Sequence, residues 1–435
     1  MKTSPLNIVV CFFFLIGSLP AQLMQTDATL RDTIWELNRS EIKVGQDLLA
    51  LSGGTVLVGR VGEIIEDATI LIEGNKISAI GKKSEIIIPA GAREIDVTGK
   101  YILPGLLDAH FHVGQVKDLL PKFLEHGVTS LRDPGAWNET YLGWRRLGIP
   151  IQRLFLTGPH LDQYPPAYPR NSMLVRDAKE AEVAVNQFVD EGATAIKVYF
   201  RLPLGTIERI CETAHARGVP VTAHLEITKA KDAINVGLDG IEHITSLGSS
   251  LIDPREAEKY RQLILSDNDA RDYGRYEVWN SIDLDDTTYT QPLLREIRDH
   301  GTFISPNLAV FEKQTDRGDS IEVNGFAKMV RFTGMISEAG GQVVVGSHTF
   351  VPYAPLGLGY AHEMELMVQA GISPAKVIEG ATWLNAKFFQ VDERLGKLEV
   401  GKLADLLVLD QNPLENISAF RDVDMVMLNG VWVKE

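Results

Sequence analysis

Leu107-Asp108-Ala109-His110-Phe111-His112 is the stretch on which the fold turns. Residues 105–113 are apolar apart from Asp108 and two histidines placed two positions apart. In a strand, residues two apart project to the same side, so both imidazoles can address one point. Outward from this segment, short apolar runs recur at 128–131, 153–157, 193–199, 219–224, 240–243, 302–305 and 342–347. Helix-like stretches such as 178–191, 204–217 and 325–339 lie between them. Eight strand–helix alternations predict an α/β chain whose body is a (β/α)8 TIM barrel over residues 104–390.

The flanks have a different texture. Short β runs at 55–58, 68–73, 76–80 and 85–88 precede the barrel, and others at 406–409, 425–428 and 431–433 follow it. They predict one small composite β-sandwich domain from residues 52–103 plus 391–435. Residues 22–51 form a polar lead-in, expected to be helical over 27–50. Residues 1–21 read as a signal peptide: Lys2, nine apolar residues at 8–16, and small Ala21 at the cut. Nine is far short of the roughly 20 needed to span a bilayer. The expectation is export to the periplasm or medium, with no membrane attachment after cleavage.

The 435 residues are 45% hydrophobic and 23% charged, which excludes a disordered chain and a polytopic membrane protein. A net charge of −15 gives no electrostatic support for nucleic-acid binding. The two cysteines, Cys11 and Cys211, exclude a disulfide scaffold and a Cys-rich zinc module.

Barrel enzymes keep their chemistry at the C-terminal ends of the strands. There the first strand offers His110 and His112, the fifth His224 and the sixth His243, while the fourth places Lys197 in an apolar run. Tyr199 and Arg201 follow that lysine as candidates for a substrate carboxylate, and His160 follows the third strand. Two long connections, 159–176 and 247–300, leave this face of the barrel and are candidate substrate lids.

The run from Leu103-Pro104-Gly105 through His110-Phe111-His112 resembles the opening strand of the amidohydrolase superfamily. Thr129-Ser130-Leu131-Arg132-Asp133, Lys197, His224 and Ile241-Glu242-His243 resemble its imidazolonepropionase-like and Xaa-Pro dipeptidase (prolidase)-like branch. Gly396-Lys397-Leu398-Glu399-Val400-Gly401-Lys402-Leu403-Ala404-Asp405-Leu406 resembles the strand that re-enters that family's small sandwich. The resemblance implies a hydrolase with two divalent metal ions, Zn²⁺ by expectation. His110 and His112 would hold one ion and His224 and His243 the other, with Lys197 bridging them as a carbamate formed with CO2. A lysine of ordinary pKa near 10.4 is reactive neutral amine in only about one part in a thousand at pH 7, so an apolar setting is required.

One position departs from the family. The eighth strand carries His348 in Val345-Gly346-Ser347-His348-Thr349, where the family has an aspartate that touches metal and moves protons. His348 is therefore the expected ligand and proton carrier. The substrate expected is a small molecule or dipeptide-like compound cleaved at an amide, peptide-like or cyclic-amide bond. Lactone or phosphoester hydrolysis, or metal holding without turnover, are the alternatives, and homo-oligomerisation is left open.

Overall fold

In the computed structural model, which describes residues 34–435, the chain first builds a sheet. β1 (Leu48–Leu57) pairs antiparallel with β2 (Ile64–Glu73), and β2 with β3 (Lys76–Lys82). On its other edge β1 takes two parallel partners, β4 (Arg93–Asp96) and β5 (Tyr101–Pro104). A bulge around Gly54 allows this division: Leu49–Ser52 face β4, and Thr55 and Val56 face β5.

The barrel follows. Its strands are β6 (Leu106–Asp108), β7 (Val128–Asp133), β8 (Arg153–Leu156), then β11 (Ile196–Val198), β12 (Val221–His224), β13 (Gly240–Glu242), β14 (Phe303–Ser305) and β15 (Gln342–Val343). Between the third and fourth, β9 (His160–Asp162) and β10 (Ser172–Leu174) add a short pair in the connection. All neighbours are parallel. Backbone hydrogen bonds complete the ring: Thr194 N–H donates to Leu156 O (2.8 Å), joining the third and fourth strands. Ala109 N–H to Val345 O (3.0 Å) and His348 N–H to His110 O (2.8 Å) join the eighth to the first. All eight expected strands are present. Strands covered on both sides must be apolar throughout, and Leu131, Leu154, Ile196, Val221, Ile241 and Ile304 are fully buried. The outer helices are amphipathic; Ala178–Asp190 buries Ala181, Ala184, Val185 and Phe188, and Asp177 caps it by accepting from Lys179 and Glu180 N–H.

The last strands, β16 (Leu406–Leu409), β17 (Met425–Leu428) and β18 (Val431–Lys434), return to the first sheet, where β16 pairs antiparallel with β5. The resulting eight-stranded β domain draws on both ends of the described chain. Its own core includes Leu51, Ile70, Ile102, Leu406, Val408 and Met427. Arg153, 2% exposed, fastens it to the barrel. The guanidinium donates twice to Asp405 (2.7 and 3.0 Å), once to Asn429 (2.9 Å), and once to Glu36.

Three expectations need correction. Among the described residues of the lead-in no helix forms: 34–47 run as turns and extended chain into β1. Leu37 N–H bonds to Leu154 O (2.8 Å), and the Asn38 side chain bonds to Gln152 O (2.8 Å) and Leu154 N–H (3.0 Å), so barrel partners replace a helical ladder. Residues 85–88 form no strand but a turn and irregular chain, with no partner strand, and Ile87 is 88% exposed. The connection 247–300 is largely helical rather than a loop, with helices Pro254–Ser266, Arg271–Ser281 and Thr287–His300 started by Asp253 and Asp286 caps. Trp279 on the second of these is fully buried in the core. The signal peptide at 1–21 lies outside the described residues. No helix among the described residues is long and apolar enough to cross a membrane.

Candidate active site

At the C-terminal ends of the barrel strands a cavity of about 400 Å³ is lined by His110, His112, His160, His224, His243 and His348, together with Lys197 and Tyr199. The chain past β6 delivers His110 and His112, β11 delivers Lys197, and β12 ends on His224. His243 and His348 follow β13 and β15 in left-handed backbone conformation (φ 66° and 55°), which turns their side chains across the mouth. Close backbone approach requires glycine beside them. A Cβ on Gly346 would stand 2.7 Å from His110 Cβ, and one on Gly135 would stand 2.2 Å from His160 Nε2.

The rings touch in sequence. His110 lies 4.8 Å from His112, 5.0 Å from His348 and 4.6 Å from His243, centroid to centroid, and His243 lies 4.7 Å from His224. One ligating atom each from His110, His112 and His348 fall within 4.8 Å of one another. Carboxylates behind two of the rings, His110 and His224, fix their tautomers. His110 Nδ1–H donates to Glu242 Oε2 (2.6 Å), and Glu242 accepts from Thr222 Oγ1 (2.8 Å). The His110 lone pair is therefore on Nε2, where it can accept from His112 Nε2–H at 3.0 Å, while His112 Nδ1 lies 3.6 Å from Asp133 Oδ1, too far for a hydrogen bond. On the other side His224 Nε2 meets Glu226 Oε1 (3.0 Å), which leaves its buried Nδ1 without a protein partner.

Burial sets the protonation states. It holds the His110, His243 and His348 imidazoles well below their usual pKa, and pushes His224 down to about 4 against the pull of Glu226. Burial also lowers Lys197 to about 8, which raises its neutral fraction at pH 7 to roughly a tenth. Its Nζ, on a residue 1% exposed, has no hydrogen-bond partner. A buried amine without an acceptor is costly. Neutral imidazoles, ligating atoms gathered within 4.8 Å and an orphaned amine fit a metal pair with a modified lysine.

Most of the expected residues meet here. His160 stacks on Tyr199 at 4.5 Å, and Tyr199 reaches His224 at 4.8 Å. Arg201 does not join them. Its guanidinium donates to Ile264 O (2.8 Å) and Asn268 Oδ1 (2.6 Å), which fastens the helical connection instead of facing the cavity. Glu363, a carboxylate near the eighth strand, is also elsewhere: it accepts from Leu308 and Ala309 N–H (2.8 and 2.7 Å). The structure adds Tyr168, Arg271 and Arg275 to the cavity wall, and Glu226, Glu242 and Asp133 behind the histidines. Glu242 and Asp133 stand inside motifs quoted above; Glu226 shares strand parity with His224, a signal the sequence carried.

The fold and site define a class: a (β/α)8 barrel with histidines and a buried lysine gathered at its catalytic end, joined to a β domain. The chain belongs to the Amidohydrolase family, whose match covers residues 101–433. Among solved structures it is similar to a Bifidobacterium longum protein provisionally assigned as a prolidase (26% identity, TM-score 0.69, 90% of this chain and 95% of that one). A Xaa-Pro dipeptidase with methionine in its active site shares the fold (21% identity, TM-score 0.68, 89% of this chain and all of the other). Curated relatives match over less of their length. An adenine deaminase of Mesorhizobium japonicum is 35% identical over 89 residues, 20% of this chain and 14% of that protein. The enamidase of Eubacterium barkeri is 25% identical over 237 residues, 47% of this chain and 58% of the other.

Proposed function

We propose that this chain is an exported, metal-dependent amidohydrolase that cleaves a C–N bond (amide, peptide-like or cyclic amide) in a small substrate. The observation that carries the reading is the unpartnered Lys197 amine, buried among a ring of histidines. His110 and His112 would hold one divalent ion, and His224 and His243 the other, with Zn²⁺ the expected metal. Lys197 would bridge them: its neutral amine adds to CO2, losing a proton and gaining a carbamate. Such a metal pair supplies a polarised carbonyl and an activated water at neutral pH. Glu242 and Glu226 hold the His110 and His224 rings from behind, as carboxylates behind metal-binding histidines do. His348, in the slot of the family aspartate, lies against both first-strand histidines; there it would be a ligand and, once it takes up a proton, would pass it to the leaving nitrogen. The likeness to the Bifidobacterium longum protein and to the enamidase supports C–N hydrolysis. A cavity of about 400 Å³ suits a dipeptide-sized substrate.

The test is a panel of dipeptides, N-acyl amino acids, cyclic amides, lactones and phosphoesters, offered to protein reconstituted with Zn²⁺ and bicarbonate. Turnover confined to C–N substrates is expected. Turnover of lactones or phosphoesters alone would move the reaction to another bond. Bound metal with no turnover of any member would make the chain a metal-holding homologue without activity.

A further inference from the structure

The helical connection brings a cation to the cavity that the reaction described above does not use. Arg271, the first residue of helix Arg271–Ser281, lines the cavity and is 5% exposed. The hydrogen bond its side chain donates is a long one from Nη2 to the Tyr168 hydroxyl, at 3.3 Å. Nε and Nη1 are buried without partners. The nearest carboxylate, Asp272, keeps its Oδ1 3.7 Å away from Nε, and its side chain is 69% exposed, so water screens it. The second arginine of the wall is already matched: Arg275 Nη2 lies 3.3 Å from Glu226, whose other contacts are His224 and the Tyr260 hydroxyl. Lys197 belongs to the centre. Arg271 is thus a buried guanidinium with donors to spare, facing the space the substrate occupies.

We propose that Arg271 and Tyr168 form a carboxylate-binding subsite, so that the natural substrate is an acid: an N-acyl amino acid or a dipeptide with a free C-terminal carboxylate. The substrate class rests on the C–N hydrolysis reading; the subsite itself does not. Nη1 and Nη2 present one edge of a planar fork to the two oxygens of a carboxylate, and the Tyr168 hydroxyl, which accepts from Nη2, has its own hydrogen free to donate. Placement agrees. The Arg271 guanidinium is 5.4 Å from the Tyr168 ring, Tyr168 is 5.9 Å from Tyr199, and Tyr199 is 4.8 Å from His224. The subsite therefore shares a wall with the histidine cluster, with aromatic rings between, and would hold the acid end of a substrate while the other end reaches the centre. It takes over the part that the sequence suggested for Arg201.

The experiment compares calorimetric binding of N-acetyl-L-methionine and its carboxamide to the zinc-reconstituted full chain, with hydrolysis of both followed separately. Wild type should bind the acid about tenfold or more tightly than the amide. Arg271→Met should weaken the acid by roughly 10- to 100-fold and the amide by less than threefold, and Arg271→Lys should recover part of the acid preference. Equal wild-type affinity for acid and amide, an acid preference that survives Arg271→Met, or equal weakening of both ligands in Arg271→Met would each overturn the subsite. Acid-selective binding without hydrolysis of any C–N substrate would defeat the reaction reading and leave the subsite standing. Hydrolysis without acid preference would do the reverse.

Discussion

Glu226→Gln separates the positioning of a metal ligand from the ligand itself. Glu226 is buried at the turn after β12, where its two oxygens meet His224 Nε2 (3.0 Å), Arg275 Nη2 (3.3 Å) and the Tyr260 hydroxyl (2.8 Å). Arg275, foremost among its favourable partners, holds its carboxyl below the usual range in spite of burial. Glutamine keeps the volume but removes the charge, so the bonds from His224 and the Tyr260 hydroxyl become ordinary ones and Arg275 loses its counter-ion. The structural cost should be about 1–3 kcal/mol, read by urea denaturation of metal-free protein. His224 then keeps only a neutral, weaker acceptor to fix Nδ1 as its free nitrogen. Losses from such outer-shell changes run to about 10- to 100-fold in metal affinity, which corresponds to roughly 1.4–2.8 kcal/mol. Competition with a chromophoric zinc chelator measures it. If zinc affinity were unchanged in a folded Glu226→Gln protein, the charge of Glu226 would play no part in orienting His224 as a ligand.

Arg153→Met should destabilise the chain by about 3–5 kcal/mol in chemical denaturation, because Asp405 and Glu36 are left buried without their cation; a loss under 1 kcal/mol would show that the cluster does not fasten the β domain. His362, raised to about 9 chiefly by Glu312 and then Glu365, should stabilise the fold fully below its ordinary pKa of 6.5, with the contribution fading as pH rises through 9. The stability gap between wild type and His362→Gln should therefore be larger at pH 6 than at pH 10, and a gap that does not change with pH would contradict the ion pair. Gly346→Ala should drive the end of the eighth strand away from His110 and lower zinc retention on a desalting column, whereas full retention would mean that the strand yields without disturbing the site.

The barrel was legible because its strands are buried on both sides and read as uninterrupted apolar runs, short enough to be told from the helices between them. The β domain was legible in outline, but residues 85–88 show the limit of local pattern. Three isoleucines in a row look like a strand, and no neighbouring edge is there to pair with them. The lead-in failed for a related reason: the Leu37 N–H and the Asn38 side chain bond to β8, a partner more than a hundred residues away. At the site, strand parity and element ends were enough to bring six histidines, Lys197 and Tyr199 to one cavity. Arg201 was misplaced because its position after Lys197 says nothing of the Asn268 carbonyl that engages it. Arg271 and Arg275 were hidden inside a connection read as a loop, where a helical spacing of four puts both on the cavity wall.

The central claim is that Lys197 and the histidines around it form a two-metal centre. Metal analysis of the wild-type protein and Lys197→Ala, each reconstituted with Zn²⁺ and bicarbonate and freed of excess, tests it most directly. Close to two zinc ions per wild-type chain, and a loss of the pair in Lys197→Ala, is the predicted result. Less than about half an equivalent in wild type would contradict the metal centre, and two ions retained in Lys197→Ala would contradict the bridging role of the lysine.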